Sequence, residues 1–206
     1  MKIFAGLNGS ALRVWGLATL LALAVFFVTR CALLAHAVMF SDQALNSLLG
    51  PLALGTLRDL PTAAAVASPW VLMELLFNAK WRIRLRWPLF ALYLFSLLFV
   101  AVSEGLFWDE FSTRFNFIAV DYLVYTTEVI GNIRESYPVG KIVAGLLATT
   151  ALLLWAMRRP LRAAGDSPLP RKSQLGWSLS LIALAWVLAI KVASPEAFTN
   201  TYGNEL

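Results

Sequence analysis

Six side chains able to do chemistry, Glu110, Arg114, Asp121, Glu128, Asn132 and Glu135, follow one another at intervals of four, seven, seven, four and three residues. At about 100° per residue they fall within an arc of roughly 60° on a single helix. Phe111, Phe115, Ile118, Tyr122, Tyr125, Val129 and Ile133 form an apolar stripe beside that arc. An arginine and an amide suit a phosphorylated lipid head group, because a guanidinium grips phosphate oxygens in a fork and an amide N–H donates to another. Arg114 and Asn132 are therefore the candidates for phosphate, and Asp121, Glu128 and Glu135 complete the candidate head-group site. Taken singly, the same carboxylates also suit the solvated face of an interfacial helix. Both readings lay residues 108–137, as one helix or as a helix broken near Asn116 and Phe117, along the outer membrane surface or partly dipped into it. Pro138 ends the segment, since the residue before a proline is pushed out of helical geometry.

The rest of the chain must hold that segment in place. Its 206 residues are 59% hydrophobic and 14% charged, with a mean hydropathy of +0.70. A soluble domain of this size does not have such a balance. Because a bilayer core offers no water to a bare backbone, spanning segments are helices or closed barrels, and the apolar runs here are continuous rather than alternating. Five runs approach the roughly 20 residues that cross a hydrocarbon core: residues 12–32, 57–77, 88–107, 139–157 and 175–192. The expected fold is all-α. It is a polytopic membrane protein with five transmembrane helices in one membrane domain, residues 1–193, and an extracytoplasmic amphipathic helix between the third and fourth.

Orientation follows from the basic residues. Lys80, Arg82, Arg84 and Arg86 collect in a loop after the second run, and Arg158, Arg159, Arg162, Arg171 and Lys172 in a loop after the fourth. Positive loops stay inside, so the N-terminus is expected in the cytoplasm and the 108–137 segment outside with the C-terminus. The net charge of +5 is accounted for by those two loops, with anionic lipid as the neighbour and no call for nucleic acid. Residues 40–56 read as an outer connection with a short helix over 43–49, and residues 163–170, with Gly165, Pro168 and Pro170, as an inner loop.

Polar residues near the runs have simpler readings. Arg30 is expected to snorkel to the outer interface, Arg58 and Asp59 to pair at the head of the second run, and Glu74 to pair with Lys80. Cys31 stands alone, and His36 lacks companions for a metal site. The chain carries no phosphate-binding loop, nucleophile elbow, HExxH or cysteine cluster.

Two stretches carry a resemblance: Phe115-Asn-Phe-Ile-Ala-Val-Asp-Tyr-Leu-Val-Tyr125, and Glu128-Val-Ile-Gly-Asn-Ile-Arg-Glu-Ser-Tyr-Pro138. They closely resemble the segment between the third and fourth spans in Gram-negative members of the lipoteichoic acid synthase-like family, sulfatase-fold phosphoglycerol transferases of the alkaline phosphatase superfamily. Leu57-Arg-Asp-Leu60 adds a short match. The resemblance implies an enzyme of two parts in the bacterial inner (cytoplasmic) membrane. One is a five-helix membrane domain. The other is an extracytoplasmic sulfatase-like catalytic domain with a threonine nucleophile and a divalent metal, and this sequence would lack it. Residues 194–206 read either as a frayed end or as the start of the linker to that domain, so the chain is expected to be a truncated or separately produced membrane half with no catalytic residue or metal ligand of its own. Two other readings stay open. One is a non-catalytic membrane scaffold acting through a partner chain. The other is a small transporter subunit, for which paired charges near mid-membrane or broken helices in repeated halves are expected; neither shows in the sequence.

Overall fold

The computed structural model describes residues 9–40, 45–111, 126–165 and 171–193. They form seven helices among the described residues: α1 (Ser10–Phe40), α2 (Leu45–Val66), α3 (Ser68–Leu76), α4 (Ala79–Phe111), α5 (Thr126–Ser136), α6 (Val139–Gly165) and α7 (Arg171–Ala193). None of the described residues is in a strand. Four helical stretches are long and apolar enough to cross a bilayer: Ser10–Met39 in α1, Ala79–Phe111, Val139–Ala164 in α6 and Leu175–Val192 in α7. Large side chains such as Leu20, Val28, Leu92, Phe99, Leu152 and Ile190 stand exposed on them, as apolar surface does where lipid rather than water is the solvent.

The expected second span is not one helix. Residues 57–77 are divided between α2 and α3, with the break at Ala67. Pro69 has no N–H to give the carbonyl four residues back, so the ladder fails there. Ala67 keeps right-handed helical angles, φ −79° and ψ −8°, which makes the break a kink rather than a loop. Upstream, α2 starts at Leu45 and runs straight through Gly50, Pro51 and Gly55, so the expected outer connection ends sooner than its turn residues suggest.

The basic stretches are also helical. Lys80 to Arg86 form the opening turns of α4, which continues through Pro88, and Arg158, Arg159 and Arg162 belong to α6, which continues through Pro160. Lysine and arginine are good helix formers, so a charge run marks where the apolar span stops and not where the helix stops. At the start of the expected interfacial segment, residues 108–111 belong to α4, and residues 126–136 form α5, while residues 112–125 lie outside the described residues.

The chain divides into two compact units, Met1–Leu85 with Arg158–Leu206, and Arg86–Met157. In the first, α2 packs on α1 and on α7, and α3 packs on α1. Small residues make the approach close: Ala11, Val14, Ala18 and Ala22 are buried on α1, Ala63, Ala64 and Ala65 on α2, and Ser178 and Ala185 on α7. Helix contacts in lipid rely on such close packing, because lipid tails leave little hydrophobic gain between helices. Two indoles secure the kink. Trp15 of α1 donates its Nε1–H to the carbonyl of Ala64 at 2.8 Å, and Trp186 of α7 donates to the Ser68 hydroxyl at 3.1 Å. Each such bond contributes about 1 kcal/mol. The polar backbone at the break thus stays inside protein, with Ala67 and Ser68 both buried.

Candidate functional site

In the second unit, α5 carries Glu128, Asn132 and Glu135, all exposed. Their intervals of four and three residues set them on one side of the helix. Arg114 and Asp121 lie outside the described residues, so three of the five expected site residues are brought together on α5. Glu128 lies in its first turn and Arg134 in its last, the ends at which an acid and a base each complement the helix dipole. Tyr137 follows directly, with its N–H bonded to the Ile133 carbonyl at 2.9 Å. Pro138 then separates α5 from α6, and its carbonyl accepts the N–H of Lys141 at 2.9 Å.

The Tyr137 hydroxyl donates to Asp109 Oδ2 at the end of α4, at 3.3 Å, a long and therefore weak bond for two oxygens. Loss of water around the phenol raises its pKa, and the Asp109 charge, the hydrogen bond to it and the Glu110 charge raise it further. The phenol therefore stays a neutral donor wherever ordinary tyrosines do, and somewhat beyond. This bond links the foot of α5 to the α4 end within its unit.

The first unit holds two ion pairs that the sequence pointed to only in part. Arg30 has a partner on α2. Its Nη2 lies 2.8 Å from both Asp59 oxygens and its Nε 3.2 Å from Oδ2, with the two side chains 15% and 19% exposed. Asp59 thus pairs across helices with Arg30 rather than with its neighbour Arg58. Gly55, one turn before Asp59, makes the room: a Cβ there would fall on Arg30 Nη1 and Cζ and lie 2.9 Å from Nε. The guanidinium lies against α2 at Gly55 and Asp59. A lone arginine within an apolar run and a Gly-x-x-x-Asp spacing were the visible signals.

Glu74, 1% exposed on α3, takes Arg82 rather than Lys80, with Nη1 and Oε2 2.8 Å apart. Lys80 is exposed. Arg30 with Asp59 and the kink at Ala67 are features of the kind expected of a transporter, but they are neither a pair placed at mid-membrane nor broken helices in repeated halves.

Among the described residues no three His, Cys, Asp or Glu side chains are grouped to hold a metal ion. The fold and these sites together define a membrane-embedded helical protein with ionised groups tucked between helices. Comparison of the chain with protein-family models, curated proteins and solved structures yields no match.

Proposed function

We propose that this chain is the membrane domain of a phosphoglycerol-type transferase similar to the lipoteichoic acid synthases, seated in a bacterial inner membrane. It anchors an extracytoplasmic sulfatase-like catalytic domain and presents the lipid substrate to it. In this reading the chain crosses five times, α2 and α3 together making the second pass, with the N-terminus in the cytoplasm and both α5 and the C-terminus outside. Basic residues at the start of α4 and the end of α6 support that orientation, since those ends then share the cytoplasmic face.

The observation that carries the proposal is the exposed face of Glu128, Asn132 and Glu135 on α5. Its chemistry suits a head group with both an acid and alcohols. The Asn132 amide donates to phosphate oxygens, Arg114 neutralises them, and Asp121, Glu128 and Glu135 accept from glycerol hydroxyls. Bond making and breaking belong to the catalytic partner, whose divalent metal and threonine would supply covalent phosphoryl transfer. This chain binds and orients.

Asn132→Ala and Glu135→Ala in the complete transferase are each expected to raise KM for the lipid about tenfold, with kcat unchanged, as loss of one hydrogen bond to a charged partner does. Unaltered KM in both variants removes this face from the mechanism. A reporter fused to the C-terminus is expected to be active only outside the cytoplasm; cytoplasmic activity would separate the catalytic partner from α5 and end the proposal.

One observation favours a second reading, a small transporter subunit. Arg30 of α1, a helix long enough to span, forms a charged pair with Asp59 of α2, close in sequence to the break at Ala67. Reconstituted protein that carries ions or protons across liposomes, and loses that flux with Asp59→Asn, would establish it in place of the transferase role.

A further inference from the structure

The opening turns of α4 hold positive charge that the fold neutralises only in part. Arg82 is taken by Glu74. Lys80 and Arg84 stand four residues apart on one side of the helix, both exposed. Among the described residues no carboxylate pairs with either. Between them Trp81 is 48% exposed, and the Arg84 guanidinium lies 5.8 Å from the centre of its ring, within cation–π range. Asn78 accepts the Trp81 N–H at 3.2 Å and so caps the turn that carries all three.

Depth places this cluster where phosphates are. The 33 residues of α4 measure about 50 Å at roughly 1.5 Å per residue, against a hydrocarbon core of about 30 Å. Residues 88–107 are the apolar stretch that fits that core. Arg84 then stands about 6 Å along the axis beyond its edge, within the head-group layer, and Lys80 one turn further out. An indole is at home at this depth.

We propose that Lys80, Trp81 and Arg84 form a binding site for the head group of an anionic phospholipid. The two cations engage its phosphate, and Trp81 lies along the glycerol and the upper acyl chains. The Glu74–Arg82 pair contributes by anchoring this first turn to α3, so that Lys80 and Arg84 are presented from a fixed backbone. The site does not depend on the transferase reading. It is built from the first turns of α4, whereas the foot of α5 is linked to Asp109 near its last.

The test is lipid retention by the intact protein, with lipids counted by native mass spectrometry after equilibration in nanodiscs of phosphatidylglycerol or phosphatidylcholine. The unaltered protein is expected to retain phosphatidylglycerol in preference. K80Q/R84Q is expected to weaken that preference about 30-fold, two cations each contributing roughly fivefold near an anionic surface. K141Q/R159Q removes two other exposed cations and is expected to leave the preference within about threefold of the original, since a cation that does not touch the lipid acts only through a screened field. Equal losses in the two double variants would mean a diffuse field rather than a site, and would overturn the proposal. So would equal retention of both lipids by the unaltered protein, or displacement of the lipid by excess soluble glycerol phosphate, which would show that the site takes phosphate as such.

Discussion

Asp59→Leu is expected to lower the unfolding free energy by about 3–5 kcal/mol, and Arg30→Leu by a similar amount, because each leaves a charge between helices without the partner that offset its desolvation. The double variant R30L/D59L is expected to recover most of that loss, since two apolar side chains of similar bulk need no partner. Unfolding in mixed micelles, followed by helix content, reads the whole cycle. Single variants within about 0.5 kcal/mol of the unaltered protein would show that the pair is solvated and contributes as little as surface pairs do. Gly55 adds an independent check. Its replacement by alanine forces the guanidinium from its place against α2, and with Asp59 holding that group by three short contacts the strain has nowhere cheap to go. Gly55→Ala is therefore expected to destabilise the original chain by about 1–2 kcal/mol. In R30L/D59L, where the guanidinium is absent, the same change is expected to be neutral or to stabilise by up to about 1 kcal/mol through helix propensity.

The second large effect is expected at Glu74. Its carboxylate is 1% exposed, while Arg82 keeps 19% of its side chain accessible, so the two members of the pair should not respond alike. Arg82→Leu takes a hydrogen-bonded counter-charge from a group that cannot turn to water, and is expected to cost about 2–4 kcal/mol. Glu74→Leu frees an arginine whose long side chain can swing outward, and is expected to cost roughly 1–2 kcal/mol. Lys80→Gln, which would matter if the pairing followed sequence proximity, is expected to change stability by less than about 0.5 kcal/mol. The same micelle unfolding series checks all three. A Lys80 effect as large as that of Arg82 would contradict the observed geometry.

Particular elements show which features could be read from the residues. The helices α1, α4, α6 and α7 were legible because about twenty largely apolar residues leave a chain little choice in lipid. The α5 face was legible because helix periodicity is local: Glu128, Asn132 and Glu135 share a side by arithmetic alone. The ends of α4 and α6 were not, since hydropathy reports where lipid stops and says nothing of where hydrogen bonding stops. Gly50, Pro51 and Gly55 looked like a turn and lie inside α2, where neighbouring helices outweigh weak local preferences.

Composition and local periodicity determined on their own that this is a helical, membrane-embedded chain with a polar face on α5, because both properties depend only on neighbours along the chain. Tertiary structure alone decided which charges meet. Arg30 finds Asp59 across 29 residues, and the kink at Ala67 borrows donors from Trp15 and Trp186. Such partners are set by where helices cross, a property of packed surfaces that no short window of sequence contains.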